Sequence, residues 1–229
     1  MTDSSSSKSP GDIRSLFGLP PHSENLTRYL TFLANLVSTP VPPTPEVKAY
    51  SDAVYLNYYP LGLSLLFSPH SGYKPKSGLK FGDLNKEKLA LDSIDIYNIP
   101  MHSSSDPRSK GTSSRIAELA FSTFPLSPLV LDVAKGVTDK DNKVLVRPSQ
   151  LELKPGATGR EIVQCLGEPE RKGGGAGPSS GSIGIWCEWS KDGIMVEFGG
   201  DEAKGPQAWE RGKDAVWKVI TLFPPKSQG

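Results

Sequence analysis

A serine in a glycine-rich stretch is the first arrangement in this sequence that could do chemistry. Residues 177–181 read Gly-Pro-Ser-Ser-Gly and match the G-x-S-x-G spacing of a nucleophile elbow, in which the serine attacks an acyl carbon. Such an elbow needs a strand before the serine and a helix after it. Here residues 173–176 are glycines and an alanine, and a predicted strand follows. The segment is therefore predicted to be a flexible loop and not a catalytic site.

Paired carboxylates are the second candidate, because two facing acids can share a proton and act as an acid and a base. Asp92 and Asp95 lie within one predicted strand, and Glu188 and Glu197 could face each other across a predicted hairpin. Both spacings are also what a solvated sheet face produces. We interpret the four residues as solvated acids and expect no catalytic residue among them.

Histidines and cysteines are the third candidate, since they supply metal ligands and nucleophiles. The histidines, His22, His70 and His102, are scattered in Pro/Ser-rich segments without the spacing of a metal site. The two cysteines, Cys165 and Cys187, are too few for a disulfide framework and are expected to be buried thiols. The sequence thus predicts no metal and no cofactor, and we expect that the protein is not an enzyme.

Charge and composition limit the possible partners. The 26 basic and 25 acidic residues leave a net charge of +1, so no overall field attracts nucleic acid or anionic lipid. No apolar run approaches the roughly 18 residues of a membrane span, and the serine-rich start has no apolar signal-peptide core. We expect a cytoplasmic location, with the nucleus as the alternative. The 229 residues suffice for a substantial core, as one domain or two.

The elements that position these residues are organised around a repeated β-hairpin. Residues 186–198 alternate apolar and polar side chains around Asp192-Gly193, which favours a tight turn. Residues 55–67 align with this hairpin without a gap. The matched pairs are Tyr55 with Trp186, Tyr58 with Trp189, Gly62 with Gly193, Leu63 with Ile194, Leu65 with Val196 and Phe67 with Phe198. This alignment predicts an internal duplication.

A helix start precedes each hairpin. Ser23 is the predicted cap of a helix with apolar residues at helical spacing as far as Val37. Thr158 and Glu161 form a predicted capping box, and Gly167 is the expected stop of that second helix. A third strand is predicted near residues 91–97 and again at 215–223. Between the halves, strands are predicted at residues 129–133 and 144–146.

These elements predict an α+β protein of two related units, each a helix laid across a small antiparallel sheet. The predicted organisation is a disordered tail at residues 1–10, a first unit at 11–100, a connecting segment at 101–147 and a second unit at 148–229. A polar loop at residues 68–88 separates the first hairpin from its third strand.

Residues 154–169, Lys-Pro-Gly-Ala-Thr-Gly-Arg-Glu-Ile-Val-Gln-Cys-Leu-Gly-Glu-Pro, followed by a Trp-x-x-Trp hairpin, resemble the BamE/SmpA-like fold. In tandem, such units resemble the architecture of the β-lactamase inhibitor protein. The resemblance covers residues 154–223 and extends more weakly to 23–97. It implies a binding or assembly module without catalysis. Because the sequence has neither a lipobox nor a signal sequence, the family's bacterial-envelope role is not carried over.

The side of the hairpins that faces away from the core is the predicted functional surface. Aromatic and methionine side chains that alternate with polar ones are typical of protein-binding faces. The candidate residues are Tyr55, Asn57, Tyr59, Trp186, Glu188, Met195 and Glu197. Packing between two half-sheets would give the same pattern. We expect an interaction or assembly module with a protein partner; the alternative is a small-ligand or lipid-binding protein with a cavity between the sheet and the loop at 68–88.

Overall fold

The computed structural model describes residues 11–99, 120–138, 141–175 and 184–225. Within those ranges the α-helices are α1 (Glu24–Leu36), α2 (Gly159–Leu166) and α3 (Ala208–Arg211). The strands are β1 (Glu46–Ala49), β2 (Val54–Tyr58), β3 (Leu63–Pro69), β4 (Leu89–Tyr97), β5 (Leu129–Asp132), β6 (Gln150–Leu153), β7 (Arg171–Gly173), β8 (Trp186–Trp189), β9 (Ile194–Phe198) and β10 (Trp217–Leu222). The protein is therefore α+β, as predicted, while the tail at 1–10 lies outside the described residues.

The main sheet has eight strands in the order β1-β2-β3-β4-β10-β9-β8-β7, and each neighbouring pair is antiparallel. Strands β5 and β6 form a separate antiparallel pair. The sheet is continuous across the predicted units because β4, the last strand of the first half, pairs with β10, the last strand of the second. The two halves thus share one sheet.

The two predicted helix starts are confirmed. The hydroxyl of Ser23 accepts a hydrogen bond from the backbone N–H of Leu26 at 3.3 Å, which satisfies one free donor of α1. The carboxylate of Glu161 accepts from the N–H of Thr158 at 2.7 Å and from its hydroxyl at 2.8 Å. Gly167 ends α2 with φ of 83°. Val37, predicted on the buried side of α1, instead follows the helix and is 37% exposed.

Both hairpins form with the same register. Tyr58 lies opposite Leu63 in one hairpin, and Trp189 lies opposite Ile194 in the other. Each four-residue loop ends in a left-handed glycine, Gly62 with φ of 57° and Gly193 with φ of 64°. A side chain at Gly62 would collide with the backbone near residues 122–124, and one at Gly193 with the carbonyl of Phe223. Glycine is therefore required at both loops by conformation and by space.

The predicted strand at residues 144–146 is wrong. Val144 forms only an isolated bridge with Thr138, and β5 pairs instead with β6. The physical reason is burial, because Leu151 and Leu153 of β6 enter the core. By contrast, Val144 is 57% exposed and Val146 is fully exposed. An apolar run of three residues was therefore insufficient to predict a strand.

One hydrophobic core runs beneath both halves of the sheet. It contains the buried faces of α1 and α2 and alternate residues of the strands, among them Leu26, Leu33, Val54, Leu56, Leu65, Phe67, Ile94, Ile96, Ile162, Leu166, Cys187, Trp189, Ile194, Val196, Phe198, Ile220 and Leu222. In the described part of the chain no helix is both long and apolar enough to cross a bilayer.

A buried ion pair fixes the second hairpin to the segment between the halves. Arg147 lies 2.7 Å from the carboxylate of Asp192, and the two side chains are 6% and 1% exposed. Asp192 also accepts from the N–H of Ala134, and Arg147 donates to the carbonyls of Ala134 and Leu166. Asp192, predicted only as a turn residue, therefore also joins the hairpin, α2 and the segment after β5.

Candidate functional site

The candidate site is the sheet face that does not carry the hydrophobic core, here called the open face. Because strand side chains alternate between faces, the residues between core positions all project on this side. The register groups them from one end of the sheet to the other as Tyr55, Asn57, Ser64, Leu66, Asp95, Tyr97, Val219, Thr221, Met195, Glu197, Trp186 and Glu188.

Every predicted face residue except Tyr59 lies on the open face. Strand β2 ends at Tyr58, so Tyr59 begins the loop; its hydroxyl donates to the carboxylate of Glu46 and its ring packs edge-on against Phe121. The prediction that the whole set is exposed is wrong for Asn57, which is 6% exposed, and for Glu188, which is 7% exposed. Both are hydrogen-bonded: Asn57 accepts from the hydroxyl of Ser64, and Glu188 accepts from the hydroxyl of Ser190 and from Arg171.

The centre of the open face is a row of polar side chains. The hydroxyl of Ser64 donates to the Asn57 side-chain oxygen at 2.7 Å, and the hydroxyl of Thr221 donates to Asp95 at 2.7 Å. Ser64 and Thr221 both lie opposite Asp95, on β3 and β10 respectively. The row therefore runs across four neighbouring strands, and it crosses the junction between the two halves at Asp95 and Thr221.

Asp95 is the carboxyl group of this row. Burial raises its pKa, the charge of Glu197 raises it further, and the Thr221 hydrogen bond acts in the opposite direction. The interpretation of these acids as solvated is correct for Asp92, which is exposed and accepts a hydrogen bond from Ser68 at 2.9 Å, and wrong for Asp95. The sequence therefore includes Asp95 among the candidate acids but does not predict its burial.

A cleft of about 570 Å³ opens above the first half of this row. Asp95, Asn57 and Ser64 line it together with the carboxyl group of Asp52 and the ammonium group of Lys48. Its aromatic residues are Tyr50, Tyr55, Tyr97 and Phe121. The rings of Tyr50 and Tyr55 meet edge-on at 6.1 Å, and those of Tyr97 and Phe121 are stacked at 3.8 Å. The cleft thus combines aromatic walls with a polar floor.

The other end of the open face is already filled by ion pairs. Arg171 lies 3.0 Å from the carboxylate of Glu188, and its guanidinium is 5.9 Å from the ring centre of Trp186. Glu197 lies 3.1 Å from the ammonium of Lys218. Glu188 and Glu197 are not directly opposite each other, and each has a basic neighbour. The interpretation of Glu188 as a solvated acid is wrong, because its side chain is buried.

The two aromatic ends are separate surfaces. Tyr55 is on β2 and Trp186 is on β8, with β3, β4, β10 and β9 between them. Five strand spacings of about 4.8 Å place them about 24 Å apart. One small ligand cannot contact both, whereas the surface of a protein partner can.

The remaining candidates for chemistry lie elsewhere or outside the described residues. His22 lies 2.9 Å from Glu87, and His70 is exposed beside Ser71. His102 and the G-x-S-x-G segment are not among the described residues. The part of the chain that is described contains no group of three potential metal ligands close enough to hold an ion.

Both cysteines are free thiols. Burial raises the pKa of Cys187 to about 11 and also raises the pKa of Cys165. A raised pKa keeps a thiol protonated near neutral pH and makes it a poor nucleophile. Cys165 borders a second cavity, of about 530 Å³, between β6 and α2. Neither cavity is lined by the loop at residues 68–88, where the alternative ligand site was predicted.

No protein-family model, curated protein or solved structure matches this chain. The resemblance to the BamE/SmpA-like fold therefore stays a prediction.

Proposed function

We propose that the protein is a non-enzymatic interaction or assembly module that binds a protein partner through the open face. The observation that carries this proposal is a single eight-stranded sheet with half-exposed Tyr55 and Trp186 near its opposite ends. Aromatic anchors around a polar centre are typical of protein-binding surfaces. The separation of the two ends favours a macromolecular partner over a small one. The cytoplasmic setting stays a prediction.

The chemistry of the face also favours binding over catalysis. Glu188 and Glu197 lie in ion pairs, and raised pKa values keep both thiols protonated. Asp95 has a hydroxyl neighbour in Thr221 and no second carboxyl group within its row to serve as the other half of an acid/base pair. The carboxyl groups of the open face therefore contribute better to recognition than to proton transfer.

We further propose that the two halves arose by duplication of one unit. The hairpins share one register and their loops end in equivalent left-handed glycines. The carbonyls of these glycines accept equivalent hydrogen bonds, Gly62 from the N–H of Tyr97 and Gly193 from the N–H of Phe223. The β4–β10 pairing supports the same proposal. Ile94 lies opposite Leu222 and Ile96 opposite Ile220, which relates the strands by an approximate two-fold axis near Asp95 and Thr221.

A small-ligand function is the second candidate, favoured by the cleft above Asp95. Its volume of about 570 Å³ falls within the range of ligand sites, and its lining combines aromatic rings with hydrogen-bonding groups. Native mass spectrometry of the purified chain distinguishes this candidate from the first. A bound small molecule that is lost on Asp95→Asn substitution would support it.

Affinity purification of the full chain tests the partner surface. The double variant Tyr55→Ala, Trp186→Ala is expected to lose a protein that the unchanged chain retains, because both aromatic anchors of the open face are removed. The matched control is Trp209→Ala, which removes an exposed tryptophan from α3, away from the open face. Retention of all co-purifying proteins by a folded double variant would contradict the proposal.

A further inference from the structure

We propose that the cleft above Asp95 receives a positively charged side chain, a guanidinium or ammonium group, presented by the protein partner. This inference rests on the proposed function of the open face and specifies the chemistry of its central contact. The partner would then supply the positive charge that binds Asp95 in the first half of the sheet.

The charge of the cleft is the first reason. Its carboxyl groups are Asp95 on the floor and Asp52 in the β1–β2 turn, and its basic group is Lys48 on the edge strand. Asp95 has lost part of its hydration and, among the described residues, accepts a side-chain hydrogen bond from the Thr221 hydroxyl, which is a neutral donor. A desolvated carboxylate is stabilised far better by a donor that carries positive charge than by a neutral hydroxyl.

The walls of the cleft are the second reason. Tyr55 and Tyr97 occupy the open face on either side of the polar row, and Phe121 fixes the Tyr97 ring by stacking at 3.8 Å. Aromatic faces attract guanidinium and ammonium groups, and the attraction strengthens where water is excluded. The same rings also pack against the methylene groups of a long basic side chain.

The opposite half of the sheet supplies the third reason, because it contains such an arrangement within the chain. There, Arg171 of the edge strand lies near the Trp186 ring and binds the buried carboxylate of Glu188. Arg171 stands opposite Glu188 in register. Guanidinium, aromatic ring and carboxylate thus form a complete set on this half of the open face.

The equivalent position in the first half carries the opposite charge. Glu46 of β1 stands opposite Asn57, as Arg171 of β7 stands opposite Glu188. The first half therefore has a carboxyl group where the second has a guanidinium. It retains an aromatic ring, since Tyr55 stands in the place of Trp186, whereas Asn57 stands in the place of Glu188. The carboxyl group of this half is Asp95, which lies two strands away in the same row, and we assign the missing cation to the partner.

The test is an NMR titration of the full-length chain with N-acetyl-arginine amide, compared with N-acetyl-citrulline amide. Citrulline has nearly the shape of arginine without its charge. The arginine probe is expected to shift the backbone amide signals of Ser64, Asp95 and Thr221, whereas the citrulline probe is not. Equal binding of both probes, or shifts confined to other parts of the chain, would overturn the inference.

Matched variants localise the effect. Asp95→Asn is expected to weaken arginine-probe binding by about tenfold or more, since a charge-assisted hydrogen bond is lost. Asp92→Asn, which removes an exposed carboxylate from the same strand, is expected to leave it unchanged. Well-dispersed spectra establish that each variant is folded. Undiminished binding to folded Asp95→Asn protein would contradict the assignment of the cation to this cleft.

The same variants separate this inference from the proposed function. Suppose that the Tyr55→Ala, Trp186→Ala protein loses its partner but the unchanged chain does not bind the arginine probe. This result overturns the cation-binding inference and supports the partner surface. If the unchanged chain binds the probe but the double variant keeps its partner, the proposed partner surface is wrong. The partner is then also excluded as the source of the cation.

Discussion

Two carboxyl groups on the open face show how differently one sheet accommodates a buried acid. Glu188 is 7% exposed and lies in an ion pair with Arg171, whereas Asp95 is partly buried and receives a hydroxyl from Thr221. In the first case, a basic side chain of the same protein balances the negative charge of the buried acid. The second leaves a desolvation cost to stability that a bound cation would reduce.

This cost predicts that Asp95→Asn raises the free energy of unfolding at neutral pH. The pKa of Asp95 is raised in the folded protein, so the carboxyl group favours folding below its unfolded pKa, and this contribution is lost as pH rises through the folded pKa. Asparagine carries no charge to desolvate and can still accept from Thr221. Denaturant unfolding at several pH values measures the difference.

The gain from Asp95→Asn is therefore expected to disappear on acidification below the unfolded pKa. The other charged groups near the carboxyl are Lys48 and Asp52 in the cleft and Glu197, with its neighbour Lys218, on β9 and β10. They are unchanged in the variant. Asp92→Asn is the control, and an equal gain in that variant would show that the effect is not specific to the desolvated site.

The buried pair of Arg147 and Asp192 gives a second prediction. Replacing either residue by alanine is expected to cost about 3–5 kcal/mol, because the remaining charge is left buried without its partner. The double variant is expected to cost less than the sum of the single variants. Alanine at Arg160, whose exposed pair with Asp214 lies at 3.0 Å, is expected to cost under about 1 kcal/mol. Costs that add without coupling would contradict a direct interaction.

At the scale of the elements, the predictable features are those encoded locally. The cap at Ser23, the capping box of Thr158 and Glu161, and the register of both hairpins follow from residues close in sequence. Strand β6 was missed because its pairing depends on which of several short apolar runs enters the core. The local signal is short, since only the four residues Gln150–Leu153 alternate polar and apolar, and the choice of pairing partner is decided by distant residues.

The hairpin loops give a prediction with an internal control. Gly193→Ala and Gly136→Ala both place a side chain on a left-handed residue, with φ of 64° and 72°. Gly136 has open space around it, whereas a side chain at Gly193 meets the carbonyl of Phe223. Gly136→Ala is expected to cost about 1–2 kcal/mol and Gly193→Ala clearly more. If thermal unfolding shows the same loss of stability for both variants, the backbone after β10 moves to accommodate the added methyl group, and the prediction is wrong.

At the scale of the whole molecule, the junction of β4 with β10 could not be predicted. Both strands were identified, but their pairing joins residues far apart in sequence and depends on which sheet edges remain free. For the same reason the sequence does not predict whether the two hairpins belong to one continuous sheet. The row that crosses the junction at Asp95 and Thr221 became visible only once the halves were placed side by side.

This junction predicts that the two halves associate when they are made as separate chains. Co-expressed fragments 1–110 and 111–229, cut outside the described residues, are expected to co-purify in a one-to-one complex through the β4–β10 pair and the shared core. Ile220→Asp in the second fragment is the control, since it places a charge in the core and is expected to abolish association. Fragments that stay apart without this change would contradict the prediction.

The central position of the last strand also affects how the chain folds during synthesis. Asp95 and Thr221 are separated by 126 residues, so β4 leaves the ribosome long before its partner. At ordinary translation rates the wait is on the order of 10 s, during which β4 is an unpaired edge able to capture strands of neighbouring chains. A truncation that removes only β10 would open the sheet at its middle, and a stalled ribosome would do the same.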